Sequence, residues 1–260
     1  MYYKMHIIIC IINQGDNMNI LIVGATGGIG QSLSRELSKK HNLFLGSRKM
    51  EKINHLVNDL NSNDMLVGGD TIDVSIYESI ESFIDEGNKF LGSIDCIINC
   101  AGSLLLKPIH LSTQEEIENV FKTNLFGCFG LLKYGFKYLR KDGGSIILFS
   151  SAASKVGLKN HDCISSAKSG VSSFALSAAS TYARYNIRIN AIAPGLVDTP
   201  LTSKIVNNKI NLDYSKNLHG LNRIGSPENF IPIINSLIDQ RSDWITGQTI
   251  FVDGGLSNIK

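Results

Sequence analysis

The sequence lacks the features that mark several classes of protein. Its net charge is only +2 over 260 residues, which gives no electrostatic reason to expect a nucleic acid or a membrane surface as partner. The apolar run near the N-terminus, residues 7–12, is too short to span a bilayer. No small-residue cleavage site follows that run, so a secretory signal is a weak interpretation. We therefore expect a cytoplasmic protein.

The cysteines also lack a pattern. They stand at positions 10, 96, 100, 128 and 163, which form no metal-ligand spacing and are odd in number. Free thiols in a reducing compartment explain them most simply. We therefore expect no metal site.

Domain organisation is simple, because no repeat, low-complexity stretch or linker interrupts the chain. The composition, 43% hydrophobic and 18% charged, fits one sizeable globular domain. Met18 stands directly before the stretch NILIVGATGGIG, where a first strand would naturally begin. We expect residues 1–18 to be an N-terminal extension or a misassigned start, and residues 19–260 to form the single domain.

Short apolar runs alternate with longer amphipathic segments from Asn19 onward. Most of the runs are continuously apolar, as strands buried on both faces should be. The runs that we interpret as strands are 19–23, 43–47, 65–69, 93–99, 144–150, 187–193 and 248–252. The helix-length segments between them include 28–40, 49–61, 76–90, 113–139 and 165–185. This rhythm predicts an α/β fold with a doubly wound parallel sheet of about seven strands.

A glycine-rich loop, GATGGIG at residues 24–30, follows the first predicted strand. Gly24 lets the chain turn, Gly28 lets the backbone approach a pyrophosphate, and Gly30 lets the next helix pack closely. The spacing differs from the commoner dinucleotide fingerprint, and such a turn can be only a tight strand–helix connection. Its place between a strand and a helix favours a nucleotide-binding Rossmann fold.

The second predicted strand ends at Ser47 without a carboxylate, and Arg48 follows it. An acidic residue here would hold the adenosine ribose hydroxyls and select NAD, whereas a guanidinium suits a 2′-phosphate. The sequence therefore favours NADP(H) over NAD(H). A solvated arginine at a helix start is the plain alternative.

Further stretches follow in a recognisable order. They are IDV (72–74), NCAG (99–102), TNLFG (123–127), FSSAAS (149–154), APGLVDTP (193–200), NRIGSPENF (222–230) and ITGQTIFVDGG (245–255). Together with the glycine loop, they resemble the short-chain dehydrogenase/reductase family from about residue 19 to residue 257. The resemblance is to its classical branch, which includes 3-oxoacyl-carrier-protein reductases.

The resemblance implies a set of cofactor-binding residues. In it, Asp73 meets the adenine, Lys168 holds the nicotinamide ribose, and the loop 193–200 holds the carboxamide. The full set is Gly24, Thr26, Gly27, Gly28, Ile29, Gly30, Ser47, Arg48, Asp73, Val74, Asn99, Ala101, Gly102, Lys168, Pro194, Gly195, Val197 and Thr199. It also implies a homotetramer or homodimer formed through the long helices 113–139 and 165–185.

The active site of the family uses asparagine, serine, tyrosine and lysine, and one of these is missing here. Asn124, Ser151 and Lys168 match, with the family's spacing of 17 residues from serine to lysine. The tyrosine position therefore falls on Ile164. Isoleucine has no exchangeable proton, and losing a positioned acid costs a factor of about 10² to 10⁴ in rate.

Another group would have to supply the proton in an active enzyme. His161 is one candidate, since histidine can deliver a proton at neutral pH, although a loop histidine is more often only solvated. A water ordered by Ser151, Asn124 and Lys168 is another candidate.

Two functions remain open from the sequence. The first is an NADP-dependent oxidoreductase that acts on a small carbonyl or alcohol substrate. The second is an NADP(H)-binding protein with little or no turnover, which would serve as a sensor or a partner subunit.

The segment 201–221 is expected to cover the substrate. Its Lys204, Lys209, Lys216 and His219 faintly suggest an anionic substrate, and a solvated loop explains them equally well.

Overall fold

The structure is a computed structural model that describes residues 17–61 and 65–259. Of the expected N-terminal extension, residues 1–16 lie outside the described residues. Met18 is buried in the core. Its backbone N–H donates to Nδ1 of His41 at 3.2 Å, and its carbonyl accepts from the N–H of Asn42 at 2.9 Å. Met18 therefore packs with the domain.

The described strands form one seven-stranded parallel sheet in the order β3-β2-β1-β4-β5-β6-β7. Their bounds are β1 Asn19–Val23, β2 Asn42–Ser47, β3 Val67–Thr71, β4 Cys96–Asn99, β5 Gly144–Phe149, β6 Ile187–Pro194 and β7 Thr249–Val252. The order reverses between β1 and β4, where ligands of such sheets bind beyond the carboxyl ends of the strands. The predicted Rossmann-type α/β fold is confirmed.

Helices connect the strands on both faces of the sheet. Their bounds are α1 Gly28–Leu37, α2 Met50–Leu60, α3 Tyr77–Leu91, α4 Gln114–Phe121, α5 Gly127–Leu139, α6 Asp162–Tyr182, α7 Ser203–Val206, α8 Lys209–Leu218 and α9 Ile231–Ile238. Among the described residues, none of these helices has the length and apolar character needed to cross a membrane.

The core has two layers because adjacent strand residues point to opposite faces. Leu21 packs with Ile80 of α3 and Val171 of α6 in one buried cluster. Its neighbour Ile22 packs with Leu33 of α1 and other residues in the second cluster. The continuously apolar strands are thus buried on both faces, as the sequence predicts.

The bounds of several predicted segments differ from the structure by two or three residues, and one predicted helix is interrupted. The strand predicted at 65–69 runs from Val67 to Thr71, because Leu66 is still exposed and donates its N–H to the Asn42 side chain at 2.9 Å. The helix predicted without interruption at 113–139 contains a π-helical turn, Lys122–Phe126. Within it, the Asn124 amide donates to the Val120 carbonyl at 2.9 Å, which competes with the regular backbone ladder at that point.

Candidate functional site

The glycine loop after β1 makes a turn that only glycine accommodates easily. Gly24 has a φ of +77°, in the left-handed region. Its N–H donates to the Gly46 carbonyl at 2.8 Å. A Cβ at this position would lie 2.6 Å from the backbone nitrogen of Ala101. The loop is therefore held tightly between the ends of β1, β2 and β4.

The N-terminus of α1 is open at the end of this loop. Its N-cap, Gly27, provides no side-chain hydrogen bond to the first turn, so backbone N–H groups are left to bind an anion. A Cβ at Gly30 would meet the Gly24 carbonyl oxygen at 2.3 Å, and a Cβ at Gly28 would meet Cγ2 of Thr199 at 2.6 Å. Gly30 therefore lets α1 pack closely against the loop, and Gly28 lets the loop approach Thr199. The open first turn of α1 fits the pyrophosphate of a dinucleotide.

The end of β2 lies beside the loop. The Thr26 and Ser47 hydroxyls are 2.6 Å apart. Arg48 is exposed, and no ion pair or hydrogen bond engages its guanidinium within the described parts of the chain. The guanidinium therefore remains available to a phosphate at this edge of the sheet.

Three further predicted residues, Asp73, Val74 and Asn99, are not among the lining residues of the adjacent cleft. Asp73 accepts hydrogen bonds from the Ser75 N–H at 2.9 Å and hydroxyl at 2.6 Å. The Val74 side chain is buried in the core. Asn99 is also buried, and its Oδ1 accepts from the Ala101 N–H at 3.1 Å. The side chains of Val74 and Asn99 are thus structural, and only their backbone is left to meet a cofactor.

A cleft of about 570 Å³ opens next to this loop, beyond the ends of β4, β5 and β6. Its volume falls in the range of small-molecule sites. The predicted residues that line it are Ile29, Ala101, Gly102, Asn124, Ser151, His161, Lys168, Pro194, Gly195, Val197 and Thr199. Residues far apart in sequence are therefore brought to one site.

Lys168 lies at the floor of the cleft. Its Nζ donates to the Phe149 carbonyl at 2.7 Å, which leaves two N–H groups for other acceptors. Burial lowers the pKa of Lys168, and the nearby thiols of Cys128 and Cys100 partly oppose that shift. A Cβ on Gly102 would stand 3.6 Å from this Nζ, so the NCAG loop borders the lysine.

Asn124 is held by the π-helical turn. Its amide donates to the Ser103 hydroxyl at 2.9 Å, and its Oδ1 accepts from the Ser103 N–H at 3.2 Å. This pair of bonds fixes the loop after β4 against the turn. Ser151 is half-buried, and its hydroxyl oxygen accepts from the Ala153 N–H at 3.2 Å, which leaves the hydroxyl proton free to donate.

Ile164 faces the cleft from α6, one turn before Lys168. It is 4% exposed and packs with Val120, Cys163 and Ala167. The position that the resemblance assigns to the tyrosine thus lies at the site, and its side chain extends an apolar cluster to the cleft wall.

His161 is the N-cap residue of α6 and also lines the cleft. Its Nδ1 lies 2.8 Å from the Lys159 carbonyl oxygen, so Nδ1 carries a proton and Nε2 is the free nitrogen. Residues 161, 164 and 168 are spaced by three and four, which places them on one helix face.

The covering segment, residues 201–221, is helical rather than a loop and contains α7 and α8. Leu201, Ile205 and Leu218 contribute apolar side chains to the cleft, whereas Lys204, Lys209 and Lys216 are not among its lining residues. His219 is buried. The three lysines therefore do not line the cleft, whereas His219 does. An anionic substrate remains a prediction from the sequence.

The cleft lining includes polar residues that sequence reasoning missed, among them Tyr214, Cys100 and Lys159. Tyr214 on α8 brings a phenol to the lining, and Cys100 brings a thiol. Burial raises the pKa of Cys100 to about 12. The spacing of 211, 214, 215 and 218 follows one helix face. That periodicity in the covering segment would have indicated Tyr214.

Comparison with known proteins agrees with the arrangement. The family model adh_short_C2, described as Enoyl-(Acyl carrier protein) reductase, matches residues 24–257. The chain belongs to the short-chain dehydrogenase/reductase family. A tropinone reductase homologue of Arabidopsis thaliana is 31% identical over 240 residues, 91% of each chain. A 3-oxoacyl-(acyl-carrier-protein) reductase of Thermotoga maritima is 29% identical over 238 residues, 91% of this chain and 96% of that protein.

Solved structures of short-chain dehydrogenases/reductases superpose closely. An actinorhodin polyketide ketoreductase with NADPH has a TM-score of 0.87 at 26% identity, covering 93% of this chain and 98% of that one. A gluconate 5-dehydrogenase of Burkholderia cenocepacia in complex with NADP and tartrate has a TM-score of 0.89 at 25% identity, covering 95% and 96%.

Proposed function

We propose that the protein is an NADP(H)-dependent oxidoreductase that interconverts a carbonyl compound and its alcohol. The observation that carries this proposal is the convergence of Asn124, Ser151 and Lys168 on one cleft beside an open helix N-terminus. These are three of the four residue types that the family uses, and they converge although the fourth is absent.

Cofactor preference follows from the end of β2. The exposed guanidinium of Arg48 would pair with a 2′-phosphate, and no carboxylate at the end of β2 competes for it. The solved structures similar to this chain that contain NADPH or NADP support the same choice. The open turn of α1 would hold the pyrophosphate, and Lys168 and the loop 194–199 would hold the nicotinamide riboside.

The chain's own residues then have separate tasks. When bound, NADPH supplies the hydride for carbonyl reduction. The Ser151 hydroxyl would donate to the substrate oxygen and orient it. Asn124 would keep the loop after β4 in place through Ser103. Ile164 excludes water and packs against the substrate, and it can transfer no proton.

The cleft walls favour a substrate with an apolar body, although Lys159, His161, Lys168 and His219 also line the cleft. Besides Ile164, aliphatic side chains line it from the loop after β4 and from the covering helices; they include Leu104, Leu106, Leu158, Leu201, Ile205 and Leu218. Aliphatic groups cannot compensate the desolvation of a charge. A ketone on a compact hydrocarbon skeleton matches this lining.

The competing function is an NADP(H)-binding protein without turnover, and Ile164 is the observation that favours it. That function would still need Lys168 for the cofactor, but it requires no hydroxyl donor beside the substrate. The Ser151 hydroxyl in the cleft therefore supports the enzyme.

The proposed assembly is a homodimer or homotetramer in a reducing cytoplasm. The rings of Phe129 and Phe174 make an edge-to-face contact with their centroids 4.6 Å apart, which joins α5 to α6. Phe126, the last residue of the π-helical turn before α5, and Leu176, on α6, are exposed. This apolar face suits contact with a second copy.

The function is tested by following NADPH absorbance with a panel of uncharged cyclic and aryl ketones and of 3-oxoacyl thioesters. We expect NADPH consumption with an apolar ketone and tighter binding of NADPH than NADH by calorimetry. Arg48→Asp should reverse that preference. NADPH binding without consumption across the panel would instead establish the binding protein.

A further inference from the structure

Reduction of a carbonyl in this cleft requires a proton donor, and the helix face that carries Lys168 presents Ile164 instead. The described groups that line the cleft and bear a proton are few enough to compare. Each must reach the cleft and have a proton not already committed to another acceptor.

Several lining groups fail on that criterion. The Ser150 hydroxyl donates to the Lys168 carbonyl at 2.8 Å, and the Thr202 hydroxyl donates to the Val197 carbonyl. The Cys100 thiol has its pKa raised to about 12 by burial, which makes it a very weak acid at neutral pH.

His161 is poorly placed for the task. Its Nδ1 proton is held by the Lys159 carbonyl. It precedes Lys168 by seven residues, so it lies about 10 Å further along the axis of α6. Because side chains lean toward the helix N-terminus, the imidazole points toward the mouth of the cleft and away from Lys168.

Tyr214 meets the criterion, and so do the Ser151 hydroxyl and the ammonium groups of Lys159 and Lys168. Ser151 and Lys168 already have tasks in the proposed site, and a phenol is the acid that the family uses. Tyr214 is the one tyrosine in the described ranges that lines the cleft, on the same face of α8 as Asn211 and Leu218. No described group makes a hydrogen bond with its hydroxyl. The side chain is 59% exposed, so a phenolate formed there could recover a proton from water.

A short chain of hydrogen bonds fixes α8 relative to the cofactor loop. The Nδ1 of buried His219 donates to the carbonyl of Ser215, the residue after Tyr214, at 2.6 Å. Its Nε2 accepts from the Leu196 N–H at 3.1 Å. A Cβ on Gly195 would stand 2.6 Å from that Nε2. The backbone beside Tyr214 is thus tied directly to the loop expected to hold the carboxamide.

We propose that Tyr214, on the covering helix, is the proton donor that replaces the phenol missing at residue 164. This role rests on the proposed function. As the carbonyl carbon accepts the hydride pair, the C=O π bond opens toward oxygen. The Oη–H bond of Tyr214 breaks, an O–H bond of the alcohol forms, and water reprotonates the phenolate. His219 is a positioning residue in this arrangement.

The first arm of the test measures NADPH consumption with acetophenone for wild type, Tyr214→Phe and Tyr182→Phe. Tyr182 is the matched control, because it is a helical tyrosine that packs against Phe136 away from the cleft. We expect Tyr214→Phe to lower kcat by about 10²- to 10⁴-fold, with KM for NADPH unchanged. Its pH profile should lack the alkaline fall that we expect for wild type, and Ile164→Tyr should restore activity in the Tyr214→Phe background.

The second arm needs no turnover. In protein labelled with 3-fluorotyrosine, the Tyr214 ¹⁹F resonance is identified by its loss in Tyr214→Phe. Adding acetophenone to the NADP⁺ complex should shift that resonance and leave the Tyr182 resonance in place. An unshifted Tyr214 resonance, or equal kcat in wild type and Tyr214→Phe, would overturn the role of Tyr214 alone. A wild type that binds NADPH and reduces no ketone would remove the proposed function and this role together.

Discussion

At the scale of the residue, the contrast between Ile164 and Lys168 governs the chemistry. They stand one helical turn apart on α6, and both line the cleft. The lysine keeps a charged donor at the floor, while the isoleucine makes the adjoining wall apolar. A donor must therefore reach the substrate from another element.

Restoring a phenol at residue 164 should accelerate ketone reduction. Ile164→Tyr would place a hydroxyl one turn from Lys168, where a positioned acid contributes a factor of about 10² or more. The measurement is kcat for acetophenone reduction. Ile164→Phe is the control of equal bulk, and equal rates for the two variants would contradict the expected position of this side chain.

Lys168 should give stability a dependence on pH. Burial lowers its pKa from the ordinary value of 10.5, so between the lowered pKa and 10.5 the unfolded chain binds more protons than the folded one. In that window the lysine's contribution to the free energy of unfolding rises with pH. Urea unfolding of wild type and Lys168→Met at several alkaline pH values measures the difference.

The free energy of unfolding of wild type minus that of Lys168→Met should be constant below the folded-state pKa of Lys168. Above that pKa it should rise with pH. The buried thiols are present in both proteins, so most of their contribution to the pH dependence cancels in this difference. A difference that falls with rising pH would show that the folded protein favours the charged lysine.

At the scale of the element, the loop between β1 and α1 prepares an anion site with backbone alone. Glycines at 24, 28 and 30 are each needed for a separate close approach. Their spacing in the sequence was enough to predict this loop, because local backbone chemistry determines it. The same holds for the strands, whose continuous apolar runs predict burial on both faces.

Gly28→Ala should weaken NADPH binding. The new Cβ would stand 2.6 Å from Cγ2 of Thr199 and would occupy the approach to the helix N-terminus. We expect Kd to rise at least about tenfold, a loss of about 1.4 kcal/mol, as measured by calorimetry. Gly157→Ala is the matched control, since a Cβ there meets nothing within 4 Å. Equal affinities for the two variants would contradict this placement of the cofactor.

The covering segment, residues 201–221, contains features that could not be predicted from the sequence. Its bounds were predicted, but its charges were weighed without knowing which helix face is turned inward. Burial of His219 depends on Leu196 and Ser215, contacts that no local pattern reveals. The π-helical turn at 122–126 likewise arises from a side-chain bond of Asn124. A side-chain hydrogen bond that competes with the backbone hydrogen bonds of a helix cannot be predicted from the periodicity of the sequence.

At the scale of the whole molecule, the doubly wound sheet positions both halves of the proposed site at one edge. The order of strands reverses between β1 and β4, so the glycine loop and the cleft lie side by side. The exposed apolar side chains of Phe126 and Leu176, beside α5 and on α6, form the surface that the proposed assembly would cover.

Leu176→Glu should therefore dissociate the assembly. Leu176 is 63% exposed on α6, and a buried unpaired carboxylate would oppose contact with a second copy. Light scattering coupled to size exclusion should show a smaller particle for Leu176→Glu. Leu66→Glu, at an exposed position beside β3, should leave the particle size unchanged. A wild type that is already monomeric would contradict the proposed interface.

The most direct measurement of the central claim follows the hydride itself. The protein is incubated with acetophenone and NADPH deuterated on the transferred position of C4, and the alcohol is examined by mass spectrometry. The account predicts one deuterium on the carbinol carbon per NADPH consumed. Bound NADPH that retains its deuterium, with no labelled alcohol, would contradict it.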